Sequence, residues 1–175
     1  MLRRARIPLQ IDVGFGDAVT PRAEVATFPA LLDFPAPQVR AYPAASVVAE
    51  KFQAMVALGI ANTRMKDFYD LYRLSETQEF DGETLAAAIR ATFERRGTAV
   101  PTQLPLALGD AFGRDADKQA QWRAFLNRGQ LDNVPANLAD VTERLVAFLL
   151  PPARAAATRE VFRQRWGRGR WARVP

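Results

Sequence analysis

Apolar residues recur along this chain in two rhythms. From Arg6 to Phe15 they alternate. Ile7, Leu9, Ile11 and Val13 are interleaved with Pro8, Gln10, Asp12 and Gly14, the period of two expected of a half-buried strand. Gly14 and Gly16 then mark a glycine-rich turn closed by Asp17 and Pro21. Between Pro21 and Pro43 the prolines at 21, 29, 35, 37 and 43 exclude a helix and leave room for short edge pieces, Phe28–Phe34 and Gln38–Tyr42. After Pro43 the rhythm changes. Val47, Val48, Phe52, Met55 and Val56 fall at helical spacing up to Gly59. A second helix is expected from about Thr63, capped by Asn62 or Thr63, with Met65, Phe68, Tyr69, Leu71, Tyr72 and Leu74 as its apolar positions. A third runs from an Asp81 cap to about Arg96, with Gly97 as its stop.

Pro101 and Pro105 read as a linker, followed by helical stretches at Asp115–Asn127, Ala136–Leu150 and Ala153–Trp166. The pattern therefore predicts an α+β chain, with short N-terminal strands and a mostly helical remainder. Four parts are expected. Residues 1–43 hold the strands and proline-rich connection, 44–100 a first helical part, 101–152 a second, and 153–175 an Arg-rich tail.

Composition narrows the chemistry sharply. The 175 residues include no Cys and no His. Thiol nucleophiles, Cys/His zinc sites and imidazole acid–base steps are thereby excluded. Carboxylates, amines, guanidiniums, phenols and oxygen-ligated metals such as magnesium remain. No segment reads as a secretion signal or a membrane span, and the lack of Cys fits a cytoplasmic setting. The formal charge of +5 favours anionic partners without choosing among them.

Three places could carry chemistry. Asp12 sits on the polar face of the first strand, before the glycine turn, where a carboxylate could meet a metal–phosphate group; a solvent-side strand residue is the plainer reading. Lys51, in Ala49-Glu50-Lys51 and flanked by Val47, Val48 and Phe52, could aim a point charge at phosphate, or simply snorkel. In Arg64-Met65-Lys66-Asp67-Phe68-Tyr69-Asp70, Asp67 and Asp70 share a helix face and Lys66 can pair with Asp70. Asp115-Ala116-Asp117 is formally an Asp-x-Asp, but its helix-forming neighbours make it a helix start, where residues two apart cannot chelate one ion. In the tail, Arg163, Arg165, Trp166, Arg168, Arg170 and Trp171 interleave cations and indoles in the manner of RNA-binding surfaces, or form a solvated basic terminus.

In order, these pieces resemble a known family. Ile11-Asp12-Val13-Gly14-Phe15-Gly16-Asp17, Tyr42-Pro43, Val48-Ala49-Glu50-Lys51-Phe52-Gln53-Ala54 and Arg64-Met65-Lys66-Asp67-Phe68-Tyr69-Asp70-Leu71 are similar to motifs of AbiEii/AbiGii-type nucleotidyltransferase toxins. The resemblance spans residues 6–97. It implies a polymerase-β-like enzyme of a toxin–antitoxin or abortive-infection system. Such an enzyme moves a nucleoside monophosphate from an NTP to an acceptor, here RNA, with Mg2+ held by carboxylates. A cognate antitoxin is the implied protein partner, and no membrane is implied. On this resemblance Asp12 is a metal carboxylate near the acceptor hydroxyl. Lys51 binds the triphosphate and offsets charge on the leaving pyrophosphate. Asp67 is the family's late essential aspartate, orienting Lys51 or the nucleotide. The family's first motif, a glycine-led turn and strand Asp-x-Asp, belongs before Asp12 and is absent from the chain. The expectation is thus the C-terminal part of a nucleotidyltransferase toxin, inactive as this chain alone. The alternatives are a non-enzymatic helical module that holds RNA or an antitoxin, and a decayed remnant.

Overall fold

The computed structural model describes Pro8, Gln10, Ile11 and residues 20–173. The expected strand Arg6–Phe15, with Asp12 and the glycine turn, lies essentially outside the described residues. Strands β1 (Glu24–Thr27) and β2 (Gln38–Ala41) form an antiparallel pair in which Glu24 faces Ala41 and Thr27 faces Gln38. The first edge piece is thus displaced upstream of Phe28–Phe34. That segment is a connection interrupted by Pro29, and it carries Phe28, Leu31, Leu32 and Phe34 exposed.

Three helices follow close to their expected positions. α1 (Ala44–Leu58) begins after Pro43 and stops at Gly59, whose φ is 52°. α2 (Met65–Thr77) starts later than its sequence signal. Arg64 holds the cap position without a side-chain cap bond, and Asn62 instead accepts from the Arg64 N–H at 2.8 Å. α3 (Gly82–Arg95) is capped by Asp81, which accepts from the Thr84 N–H at 2.8 Å. α1 packs chiefly on α3, and α3 on the long C-terminal helix. The stretch Ala44–Ala61 is apolar and long enough to cross a bilayer by length and composition alone. In the fold it is a core helix, with Val48, Ala49, Phe52 and Met55 fully buried.

The second half departs further from its pattern. A short helix, α4 (Asp110–Gly113), precedes α5 (Ala116–Gly129), which Asp115 caps through the Lys118 N–H at 2.9 Å. The two helices expected at Ala136–Leu150 and Ala153–Trp166 are one, α6 (Leu138–Thr158), which runs through Pro151 and Pro152. A proline lacks the N–H that would bond to the carbonyl four residues back, so Pro152 orphans the Phe148 carbonyl. The Trp171 indole N–H donates to that oxygen at 3.0 Å.

The C-terminal region is not a frayed tail. Two strands, β4 (Gln164–Gly167) and β5 (Arg170–Arg173), form a hairpin through Arg168 and Gly169, both at positive φ (48° and 78°). Two such residues between paired strands are the hairpin turn that suits the strand twist. A two-residue strand, β3 (Phe80–Asp81), completes a three-stranded antiparallel sheet, β3-β4-β5, with Phe80 opposite Trp166. Alternation turns Trp166 and Trp171 inward, around Phe148 at centroid distances of 4.9 and 6.2 Å. Trp166 is fully buried, and its N–H donates to the Ser75 carbonyl at 2.7 Å. Ser75 lies in the last turn of α2, where carbonyls have no partner within the helix. Gly82 admits the hairpin: a Cβ there would lie 2.6 Å from the Phe162 and Gln164 carbonyl oxygens.

Candidate functional site

α1 and α2 bring one lysine and two aspartates together. Lys51 lies on α1 between the buried Val48 and Phe52, so its stem leaves the core beside α2. Asp67 and Asp70 are three apart on α2 and share a face. Lys51 Nζ is 2.6 Å from Asp67 Oδ1 and 2.8 Å from Asp70 Oδ2. The side chains of all three are about four-fifths buried. Asp70 also receives the exposed Lys66 at 2.6 Å.

Burial pushes the Lys51 ammonium toward deprotonation. The hydrogen bonds and negative charges of Asp67 and Asp70 outweigh it and hold Lys51 above the ordinary lysine range. The ammonium is therefore charged throughout the neutral range. Of its three N–H donors, the aspartates engage two. The group sits at the wall of a 260 Å³ cleft that Glu50, Gln53, Arg64, Asp67 and Arg96 also line. With Lys51, and with Asp70 behind it, this makes three cations and three acids, the ammonium being fixed in direction by the pair on α2.

The sequence-derived candidates fall into three groups. Lys51 and Asp67 meet directly. Asp12 lies outside the described residues. Arg163, Arg165, Trp166, Arg168, Arg170 and Trp171 lie at the other end of α2, on the β4–β5 hairpin or just before it. Arg165, Arg168 and Arg170 line a 570 Å³ hollow on its outer face with Glu79 and Arg173. Arg165 is 3.8 Å from Glu79. Trp166 has no face open to a base, because it is wholly enclosed. Asp70 as a second partner of Lys51, and Arg64 and Arg96 beside it, are additions from the structure. Asp70 carries a sequence signal in its three-residue spacing from Asp67, and Arg64 opens the motif that contains both.

No group of three acidic side chains among the described residues is placed to hold a metal ion. Asp67 and Asp70 are turned onto an ammonium that already fills the space between them. The described donors alone therefore do not make an Mg2+ site. What the geometry defines is a cleft beside α1 and α2 whose wall carries a lysine clamped by two aspartates.

A family model described as nucleotidyl transferase AbiEii toxin, type IV TA system, matches residues 2–164. The chain belongs to the AbiEii nucleotidyltransferase toxin family. Nothing among curated proteins or solved structures matches it.

Proposed function

We propose that the chain binds the triphosphate of an NTP at Lys51 and takes part in moving a nucleoside monophosphate to an RNA acceptor. The observation that supports this most is the protonated, two-aspartate-held Lys51 at the wall of the cleft. An ammonium locked in direction is preorganised to offset charge that grows on a departing pyrophosphate, without reorganisation at the moment of reaction. Asp67 and Asp70 act as positioning residues for that ammonium. Asp12 is proposed, from the family motif alone, as this chain's metal-side carboxylate. Magnesium dependence, an antitoxin partner and a cytoplasmic site of action belong to the same proposal.

The test uses protein expressed from its full reading frame, labelled NTPs and RNA. Transfer of label to RNA is expected, and Lys51→Gln is expected to abolish it together with binding of inorganic tripolyphosphate. Asp67→Asn is expected to lower transfer while leaving the protein folded by circular dichroism. Undiminished transfer by Lys51→Gln would defeat the reading.

The acceptor reading draws on the hairpin. Its outer face sets Arg165 and Arg170 beside the small residues Gly167 and Ala172, with Arg168 in the turn. Such a face lets a phosphate backbone approach closely, while the tryptophans serve as its anchors. RNA is proposed to dock there through phosphate contacts rather than base stacking.

A further inference from the structure

Beside the Lys51 cleft lies a second, larger cavity. It is a 570 Å³ groove between the start of α2 and the outer face of α5. Arg64 and Asp67 line both cavities, so the groove opens around the N-terminal end of α2 from the place where Lys51 is held. On its α5 side stands Phe125, half-buried, its ring against Trp122 at 5.8 Å and edge-on to Tyr69 at 5.9 Å. Those contacts fix the ring plane. Next to it, Gln121 Oε1 is buried and has no hydrogen-bond partner in the fold. A buried amide oxygen left in this state is costly, and a turn of the Gln121 side chain toward the groove it lines lets a ligand N–H satisfy it. Arg64 and Arg128 supply positive charge at the rim, while Lys66 is paired with Asp70.

An immobilised aromatic face, an unanswered acceptor and a cationic rim are together the requirements of a nucleoside phosphate: a π-surface to stack, an N–H on the base edge, and phosphates to neutralise. We infer that this groove receives the nucleobase of the NTP whose phosphates lie at Lys51. The base stacks on Phe125 and donates an N–H to Gln121 Oε1, and Arg64 contacts the ligand where the two cavities adjoin. A single nucleotide fits this arrangement better than an acceptor strand, because the two cavities share a wall and the arginine-rich hairpin lies at the far end of α2. Each of the four bases carries an N–H that Gln121 can answer, so the groove favours a nucleotide over a bare polyphosphate.

The inference rests on the reading of Lys51 as the triphosphate site, and the test separates the two. ATP, CTP, GTP, UTP and inorganic tripolyphosphate are titrated calorimetrically into the full chain in EDTA. At least one NTP is expected to bind about tenfold more tightly than tripolyphosphate, the scale of one stacked base. Phe125→Leu and Gln121→Met are each expected to remove most of that preference and leave tripolyphosphate affinity unchanged. Lys51→Gln is expected to weaken all five ligands. Equal binding of the four NTPs and tripolyphosphate, or a preference that survives both groove variants, overturns the inference. If tripolyphosphate fails to bind, or Lys51→Gln changes nothing, the Lys51 reading falls instead. The groove is then tested with adenosine, cytidine, guanosine and uridine. Binding of one that Phe125→Leu abolishes upholds the groove, and no binding by any of them overturns it.

Discussion

Two lysines are drawn out of water in this molecule and are held in opposite ways. Lys118 donates to the Asn62 carbonyl at 2.9 Å and lies over the Phe112 ring at 5.2 Å. It joins α5 to the α1–α2 connection, and its charge is spent on backbone and ring. Lys51 is held by the carboxylates of Asp67 and Asp70 at the wall of an open cleft. The distinction predicts a pH signature. Because the folded-state pKa of Lys51 is raised, the folded form holds this proton more tightly than the unfolded chain does. The clamp's contribution to stability is then complete below the unfolded lysine value of about 10.4 and is lost as pH rises through the higher folded value. In urea unfolding, the stability difference between wild type and Lys51→Met is expected to stay level from pH 8 to 10 and shrink above that. A difference that stays level or widens above pH 10.5 would show that the aspartates do not hold the proton.

At the scale of elements, the continuity of α6 depends on a side chain from another strand. Pro152 removes a helix bond, and Trp171 replaces it from β5. Trp171→Phe keeps an aromatic ring and deletes only the indole donor, so it is expected to cost about 1–2 kcal/mol by leaving a carbonyl unpaired. In a Pro152→Ala background the restored N–H can answer Phe148, and the same substitution is expected to cost at least about 0.5 kcal/mol less. Additive effects in the cycle would refute the substitution of one bond for the other. This arrangement also explains what the sequence disclosed and what it withheld. α1, α3 and α5 were legible because their caps and stops are local: Pro43 and Gly59, Asp81 and Gly97, Asp115. The pairing of Lys51 with Asp67 could be inferred only through family motifs, since sixteen residues and a turn separate them. α6 was split in two because consecutive prolines ordinarily end a helix, and the donor that repairs it lies nineteen residues beyond Pro152 in the chain. The hairpin did carry a local signal: Arg168-Gly169 between two short segments that each place a Trp inward. The density of arginine hid it, because charge reads as solvent and these arginines occupy only one face.

For the whole molecule, the C-terminal residues are a structural wall. Trp166 is enclosed by Phe80, Phe148 and Trp171 and bonded to α2. Trp166→Ala is therefore expected to cost about 3–5 kcal/mol, a large share of the 5–15 kcal/mol typical of a domain. Thermal denaturation measures it, and a shift of only a degree or two would mean that the hairpin is dispensable. Removing the hairpin is thus the wrong way to ask whether it touches RNA. The informative variant is Arg165→Gln, Arg168→Gln, Arg170→Gln, which alters the outer face alone. If three phosphates are met there, the slope of log affinity against log salt for single-stranded RNA is expected to fall in magnitude by about 2. An unchanged slope would assign these arginines to solubility. α2 connects this surface to the site. One end carries the aspartates that grip Lys51, and the other, about 12 Å along at 1.5 Å per residue, is bolted to the sheet through Ser75 and Trp166. A rod fastened at both ends transmits no slack: the offset between basic plate and ammonium is a built-in gauge. A polymer seated on the plate would thread toward the cleft at one preset reach, so length, before any base is read, would already discriminate among chains presented to it.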